Sequence, residues 1–230
     1  MRTFANTRIL RNLIRKRLTN ITYRNMKILL INGSPKSEGN TFIALSEVAK
    51  TLEAEGIETE IIHVGHQDIH GCIACAKCKE QGKCVFDDLV NEVNKKFETA
   101  DGIVVGSPVY YASPAGTLVA FLDRLFYSAA FDKSMKVGAA VAVARRGGTS
   151  ATFDMLNKYF TISNMPVVSS QYWNSVHGRT PGEASQDAEG LQTMRQLGRN
   201  MAFLVKSIQL GKEKLGMPER EEWTATNFIR

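Results

Sequence analysis

Four cysteines, all that the chain contains, fall within thirteen residues as Cys72-Ile-Ala-Cys75-Ala-Lys-Cys78, five further residues and Cys84, a C-x2-C-x2-C-x5-C run. Thiolates this close in sequence can face one another from a single loop, so the run reads first as a metal-binding segment. In a [4Fe–4S] cluster each thiolate binds a different iron, and two successive C-x2-C steps curl the backbone around one face of the cube. The bacterial ferredoxin run instead has x3 and a Cys-Pro pair whose cysteine serves another cluster. Here Cys84 follows x5, precedes Val85 and has no second motif to serve, which points to Cys72, Cys75, Cys78 and Cys84 ligating one cluster. Other chemistries remain open. Zinc also takes four thiolates, although structural sites usually draw two C-x2-C knuckles from separated segments. A disulfide or thiol relay fits poorly with a reducing compartment, and free thiols are the remaining reading. His70 is near enough in sequence to replace a ligand, with a surface histidine as the plain alternative.

Three further segments pair turn formers with groups able to meet a ligand. Gly33-Ser34-Pro35-Lys36-Ser37-Glu38-Gly39-Asn40-Thr41 puts hydroxyls and backbone N–H groups just ahead of an expected helix. Unpaired donors and the helix dipole stabilise a phosphate there. The segment has neither the Gly-Lys-Ser/Thr of a Walker loop nor G-x-G-x-x-G spacing, so an ordinary N-cap turn is the alternative. Gly106-Ser107-Pro108-Val109-Tyr110-Tyr111-Ala112-Ser113-Pro114 sets two adjacent tyrosines in a loop after an apolar strand. A planar ring ligand would use them by stacking; packing against a helix is the alternative. Ala144-Arg145-Arg146-Gly147-Gly148-Thr149 joins glycines that let the backbone approach a flat ligand to arginine donors suited to carbonyl oxygens, or is simply a solvated loop. His177-Gly178-Arg179-Thr180-Pro181-Gly182 is equally turn-rich; no chemistry follows from its residues alone, and a border of the ligand site, a subunit contact and a plain surface loop are its readings.

These segments need a frame that gathers them. Lys27 to Ile31 is a short, almost wholly apolar run, as in a central parallel strand covered on both faces. A helix is expected from about Thr41 with Leu45, Val48, Ala49 and Leu52 on one face, then a strand over Glu58 to Val64. After the cysteines, Asp87-Asp88 caps a helix to about Phe97. Ala100 to Gly106 is the third strand, with a loop from Ser107 to Ser113. A helix bearing Ala115, Leu118, Val119, Leu122, Leu125 and Phe126 on one side leads to a fourth strand, Val137 to Ala144. A helix to about Phe160, a fifth strand near Pro166 to Tyr172 and a long helix from about Leu191 to Val205 complete the pattern. Five alternations of strand and helix predict an α/β fold with a doubly wound parallel sheet. Ligands bind such sheets beyond the carboxyl ends of the strands, where the loops after strands one, three and four meet. The expected organisation is one domain over residues 26–210, with residues 66–86 a cysteine-rich insertion after strand two, and a charged tail at 211–230 to which no role attaches.

The chain has 230 residues, 43% of them hydrophobic, enough for one good core. Its net charge of +6 is uneven: Arg2, Arg8, Arg11, Arg15, Lys16, Arg17 and Arg24 all precede Met26, and no acidic residue accompanies them. Removing those seven leaves 22 Lys and Arg against 23 Asp and Glu, so the body is near −1 and nucleic-acid binding is not expected. Residues 1–25 read as a transit peptide, a basic surface anchor, or a segment dispensable to function, since Met26-Lys27 would serve as a start. No apolar run reaches the roughly 18 residues that span a bilayer, and no apolar signal core is present, so a cytoplasmic location is expected, or an organelle matrix if the extension is a transit peptide.

Taken in order, GSPKSEGNT, the cysteine run, GSPVYYASPAGTLVAFLDR and ARRGGT resemble the flavodoxin-like family of NAD(P)H-dependent FMN reductases over about residues 26–206, and the cysteine run is similar to that of its iron–sulfur flavoprotein branch. The resemblance implies a flavodoxin-like five-stranded parallel sheet of order 2-1-3-4-5. It implies FMN, with the phosphate held by Ser34, Ser37, Gly39, Asn40 and Thr41, and Lys36 at a position often basic in this loop. The isoalloxazine edge would lie on Pro108, Val109, Tyr110 and Tyr111 beside Ser107, and its pyrimidine end near Arg145, Arg146, Gly147 and Gly148. The activity implied is an FMN-dependent oxidoreductase passing electrons between NAD(P)H or a ferredoxin-like donor, FMN and a [4Fe–4S] cluster set beside the flavin. No side chain is then required as nucleophile or general acid. A reductase without a cluster, a zinc-stabilised nucleotide-binding module, and a non-catalytic redox carrier or sensor are the competing readings. The resemblance further implies small-molecule or protein electron partners and a homo-oligomer, dimer or tetramer.

Overall fold

Strand β1, Lys27–Asn32, begins the fold in the computed structural model, which describes residues 25–226 and 228. The basic extension expected at 1–25 lies, apart from Asn25, outside the described residues. Ile28, Leu29, Leu30 and Ile31 are all completely buried, because β1 has a strand on either side and helices on both faces. Their side chains alternate between two cores, Ile28 and Leu30 in one, Leu29 and Ile31 in the other, as the two-residue period of a strand requires.

The order continues as α1 (Asn40–Ala54), β2 (Glu58–His63), the single turn α2 (Cys78–Gln81), α3 (Leu89–Thr99), β3 (Gly102–Tyr110), β4 (Ser113–Pro114), α4 (Gly116–Ser128), β5 (Val137–Ala144), α5 (Thr149–Thr161), β6 (Ser175–His177), a 3-10 turn (Glu183–Gln186) and α6 (Ala188–Leu215). Five strands run parallel as β2-β1-β3-β5-β6, the flavodoxin-like order expected, and the two-residue β4 folds back antiparallel on the end of β3. Helices α1 and α6 cover one face; α3, α4 and α5 cover the other. On β5 the first face carries Val137, Val141 and Val143, whereas the second carries Gly138 and Ala140. The small residues make room for Phe160 of α5, since a Cβ on Gly138 would lie 2.5 Å from the Phe160 ring. Burying each large side chain here contributes about 1.5–3 kcal/mol.

Two elements differ from expectation. β3 does not stop at Gly106 but runs to Tyr110, pairing with β5 as far as Pro108↔Val143 after β1 has ended opposite Gly106. Pro108 has no N–H to donate, and it falls where β1 no longer lies alongside. The fifth strand is not Pro166 to Tyr172. The chain touches β5 once through Gly138↔Val167, leaves the sheet, and pairs again only at Ser175–His177. Buried Asn174 brings it back: its Nδ2 donates to the Ala140 carbonyl at 3.0 Å, and its own carbonyl accepts from the Ala142 N–H at 2.9 Å. An edge segment with one such anchor can bulge, and Tyr172 and Trp173 face outward from the bulge.

Helix starts also divide into two kinds. Asp88 caps α3 by accepting from the Val90 N–H at 3.1 Å, and Asp187 caps α6 by accepting from Gly190 at 2.9 Å. By contrast α1 and α5 begin at Gly39 and Gly148 with no side-chain cap and no acidic residue in the first turn. The uncapped ends lie on one edge of the sheet.

Candidate functional site

The loop after β1 is wound by its own side chains. Asn32, fully buried at the end of the apolar strand, accepts from the Ser34 N–H at 3.1 Å and donates to the Ser37 carbonyl at 3.0 Å. Ser34 Oγ in turn accepts from the Lys36 N–H at 3.1 Å. From the end of β2, His63 Nε2 sits 2.6 Å from the Ser34 carbonyl, a contact that requires the Nε2–H form. With its shape held internally, the loop delivers the uncapped start of α1, a partial positive charge with unpaired N–H groups.

That helix start opens on a cleft of about 290 Å³, close to the lower bound of roughly 300 Å³ for small-molecule sites. One wall is Ser34, Lys36, Gly39, Asn40 and Thr41. Opposite lie Pro108, Val109 and Tyr110 from the extended end of β3, with Arg145 from the end of β5. Lys36, Arg145 and Arg179 line the cleft and no Asp or Glu does, so its field favours an anion.

The remaining sequence-predicted residues sit elsewhere. Ser37 is exposed and gives its carbonyl to Asn32. Ser107 is fully buried; its Oγ donates to the Pro108 carbonyl at 2.8 Å and accepts from the Ala115 N–H at 3.0 Å, bracing the turn into α4. The two tyrosines part company: Tyr110 is half-exposed on the cleft, whereas Tyr111, at φ +51°, projects fully into solvent and does not line it. Arg146 and Gly147 are exposed outside the cleft. Gly148 shapes the turn into α5, where φ +91° and a would-be Cβ 2.9 Å from Val109 both demand glycine.

Sequence reasoning left the cleft's fourth side undecided between a border of the ligand site, a subunit contact and a plain surface loop. Gly178, Arg179 and Pro181, in a loop whose turn chemistry is legible but whose destination is not, close the cleft next to α1. Asn40 pins them there, its Nδ2 donating to the Thr180 carbonyl at 2.9 Å and its Oδ1 accepting from Ala184 at 3.1 Å. Glu183 folds the loop by accepting from the Arg179 and Thr180 N–H groups, and the Thr180 hydroxyl foremost holds its carboxyl below the usual carboxylate range.

The cysteines form a separate place. Cys72, Cys75, Cys78 and Cys84 all border one recess of about 20 Å³, walled by Ile73, Val85 and Phe86. Cys72 and Cys75 are exposed, Cys84 is half-buried and Cys78 is buried at the start of α2. Between the first three, Ala74 and Ala76 adopt φ of +53° and +57°, a conformation alanine rarely takes. Asn91 of α3 fastens the other end, accepting from the Cys84 N–H at 2.9 Å and donating to the Cys84 and Phe86 carbonyls. His70 does not border the recess; its ring stacks on Phe86 at 4.6 Å. Among the described residues no group of three or more His, Cys, Asp or Glu is gathered into a single-ion site. The donor set nevertheless suits a group held by several thiolates: four cysteines border one recess and no Asp or Glu lines it.

Beneath this recess lies a cation that the sequence pattern did not single out. Arg124 of α4 is 1% exposed, forks onto Asp88 at 2.6 and 2.9 Å, donates from Nη1 to the His70 carbonyl, and lies over the Phe86 ring. Its Nε points at the Cys84 sulfur, 3.2 Å away. The available signal was spacing: position 124 follows buried Phe121 by three and precedes buried Ser128 by four, on the inward side of α4. Cleft and recess share no lining residue.

Among the described residues no helix is long and apolar enough to cross a membrane. The sequence profile of the NADPH-dependent FMN reductase family matches residues 26–180. An iron–sulfur flavoprotein of Methanocaldococcus jannaschii is 40% identical over 192 residues, covering 80% of this chain and 100% of that protein. An iron–sulfur flavoprotein of Methanosarcina thermophila is 31% identical over 193 residues, covering 82% of this chain and all of that protein. The solved structure of RosB with bound 8-demethyl-8-formylriboflavin-5'-phosphate superposes with a TM-score of 0.63 at 16% identity, over 89% of this chain and 94% of that one. This last likeness is one of fold.

Proposed function

We propose, on the premise that this chain belongs to the NADPH-dependent FMN reductase family and to its iron–sulfur flavoproteins, that it relays electrons between FMN in the cationic cleft and a [4Fe–4S] cluster on the four cysteines. The coarser part stands on the family: the chain is an FMN reductase-like oxidoreductase of flavodoxin-like fold. Bound FMN supplies hydride acceptance from reduced nicotinamide, and a cluster supplies one-electron transfer to a partner.

The protein's own contribution is position and charge. The start of α1, Thr41, Lys36 and Arg179 suit a phosphate dianion. Pro108, Val109 and Tyr110 offer an apolar and aromatic edge to a ring, and Arg145 offers a cation for its polar end. Asn40 acts one step back, its amide spent on holding the Arg179 loop. At the second site Cys72, Cys75, Cys78 and Cys84 supply the thiolates. The observation that carries this reading is a cleft with three cations, no carboxylate and an uncapped helix start.

Anaerobic purification with paired quantification of flavin, iron and sulfide tests it, followed by rapid mixing with NADH or NADPH. About one FMN and four irons per chain, with bleaching of the flavin band by one nucleotide, is the expected result. Iron near zero would remove the cluster and leave a simple flavin reductase. Absence of bleaching with either nucleotide would remove nicotinamide as donor and leave a protein donor.

A further inference from the structure

We propose that Arg124 is a positioning residue for the cysteine site: it fixes Cys84 as the fourth thiolate and, through its buried charge, raises the reduction potential of the group the cysteines hold. This rests on the reading that they hold an iron–sulfur cluster.

Three observations carry it. First, Arg124 is 1% exposed, so water does little to screen its charge from the neighbouring recess. Second, its donors are divided. Nη1 and Nη2 engage Asp88 at 2.6 and 2.9 Å, while Nε is directed at the Cys84 sulfur at 3.2 Å. A strut joining α3 to α4 would need only the Asp88 fork; the third donor faces the recess. Third, the other neighbours of the guanidinium orient it. It lies 4.8 Å from the centre of the Phe86 ring, which itself stacks on His70, and Nη1 reaches the His70 carbonyl at 3.2 Å. Cys84 is thereby held at both its backbone, by Asn91, and its sulfur.

The electrostatic consequence follows from charge balance. One electron entering from a low-potential donor, dithionite in the test below, makes and breaks no bond and leaves the thiolate-held group one unit more negative. A fixed cation donating a hydrogen bond to a ligand sulfur stabilises that added charge, as hydrogen bonds to sulfur and local charge do in iron–sulfur sites generally. Asp88 offsets part of the effect, so removing its charge should act in the opposite direction to removing that of Arg124.

The test compares the full-length chain with Arg124→Gln, Arg124→Lys and Asp88→Asn, all purified anaerobically. Iron and sulfide content, FMN content, far-ultraviolet circular dichroism and the midpoint potential from a mediated dithionite titration are read for each. Retained FMN and dichroism report an intact fold, because the FMN cleft shares no residue with the recess. Arg124→Gln should lower the ratio of reduced to oxidised cluster at a fixed potential about tenfold, a fall of about 59 mV for one electron. Arg124→Lys should recover most of that, and Asp88→Asn should shift the potential upward. Should Arg124→Gln fail to fold, the Asp88→Asn shift decides: an upward move supports the proposal and an unchanged potential overturns it. Normal iron with an unchanged potential in Arg124→Gln overturns it as well, as does an equal fall in Arg124→Lys. Iron absent from the unmodified protein overturns the cluster reading instead, and the two failures are thus told apart.

Discussion

Asn40 and Thr180, 140 positions apart, are joined by a 2.9 Å hydrogen bond from the Asn40 amide to the Thr180 carbonyl. The bond fixes the wall of the cleft contributed by the loop after β6, and it brings Arg179 to the start of α1. The side-chain amide of a residue whose sequence position suggests phosphate contact is thus engaged in holding a loop.

Asn40→Ala should accordingly weaken FMN binding about tenfold, since loss of two hydrogen bonds costs about 1–3 kcal/mol. Titration of apoprotein by flavin fluorescence measures it. Asn40→Asp keeps the acceptor for Ala184 but loses the donor to Thr180 and adds a negative charge to the cleft, so it should weaken FMN at least as much as Asn40→Ala. An affinity equal to that of the unmodified protein in Asn40→Ala would show that the loop needs no such anchor.

The cations of the cleft should divide by what they touch. Lys36→Ala and Arg179→Ala are expected to weaken FMN at least about tenfold, as hydrogen bonds to charged groups contribute roughly 1.5–3 kcal/mol, while leaving riboflavin almost unaffected. Arg145→Ala should weaken both flavins, because it sits at the β5 end of the cleft beside Val143 and Ala144. Equal losses for FMN and riboflavin in Lys36→Ala would place the phosphate elsewhere.

Cysteine variants should separate the two sites. Serine at Cys72, Cys75, Cys78 or Cys84 is expected to reduce iron and sulfide content and leave FMN at about one per chain, given that recess and cleft have no residue in common. Loss of FMN in step with iron would mean that the sites depend on each other after all.

A pH-dependent contribution to stability is expected at the start of the sheet. Glu60 of β2 takes a hydrogen bond from Lys27 of β1, at 2.9 Å, and another from Lys96 of α3. These partners, Lys27 first, hold its carboxyl below the usual range. A depressed carboxylate stabilises the fold above its unfolded value, and that contribution is lost as pH falls through the lower folded value. Glu60→Gln should therefore cost up to about 1 kcal/mol near pH 7, the scale of a partly exposed ion pair. The difference between variant and unmodified protein should shrink as pH falls below the ordinary glutamate range and both come to carry a neutral group. Thermal unfolding across that range is the measurement, and a gap that stays constant would sink the assignment.

Much of the frame is legible in order along the chain. The apolar run at Lys27 to Ile31, the four-residue spacing from Leu45 through Val48 and Ala49 to Leu52, and the Asp88 cap each state a local preference that the fold keeps. Such signals act within a turn or a pleat, so a neighbouring residue suffices to reveal them. The edge strand was less legible, because Ser169 and Ser170 offer no apolar alternation and pairing resumes only where Asn174 enters the sheet. The tyrosine pair was ambiguous for another reason. Tyr110 closes β3 whereas Tyr111 opens the turn to β4 at φ +51°, and only where the strand ends decides which one meets the cleft.

What the sequence alone determined is therefore the alternation of strands and helices, the turn chemistry of three of the cleft's loops, and four thiols spaced to share one group. Tertiary structure decided which of those loops meet, which hydroxyl turns inward, as that of Ser107 does, and which amide becomes a brace. It also decided that a charge on α4 would lie against the sulfur of Cys84, 40 positions earlier in the chain. Spacing assigns a side chain to a face of its own helix. What that face meets depends on how α3, α4 and the cysteine loop pack over one sheet, through contacts too distant in sequence for any local pattern to encode.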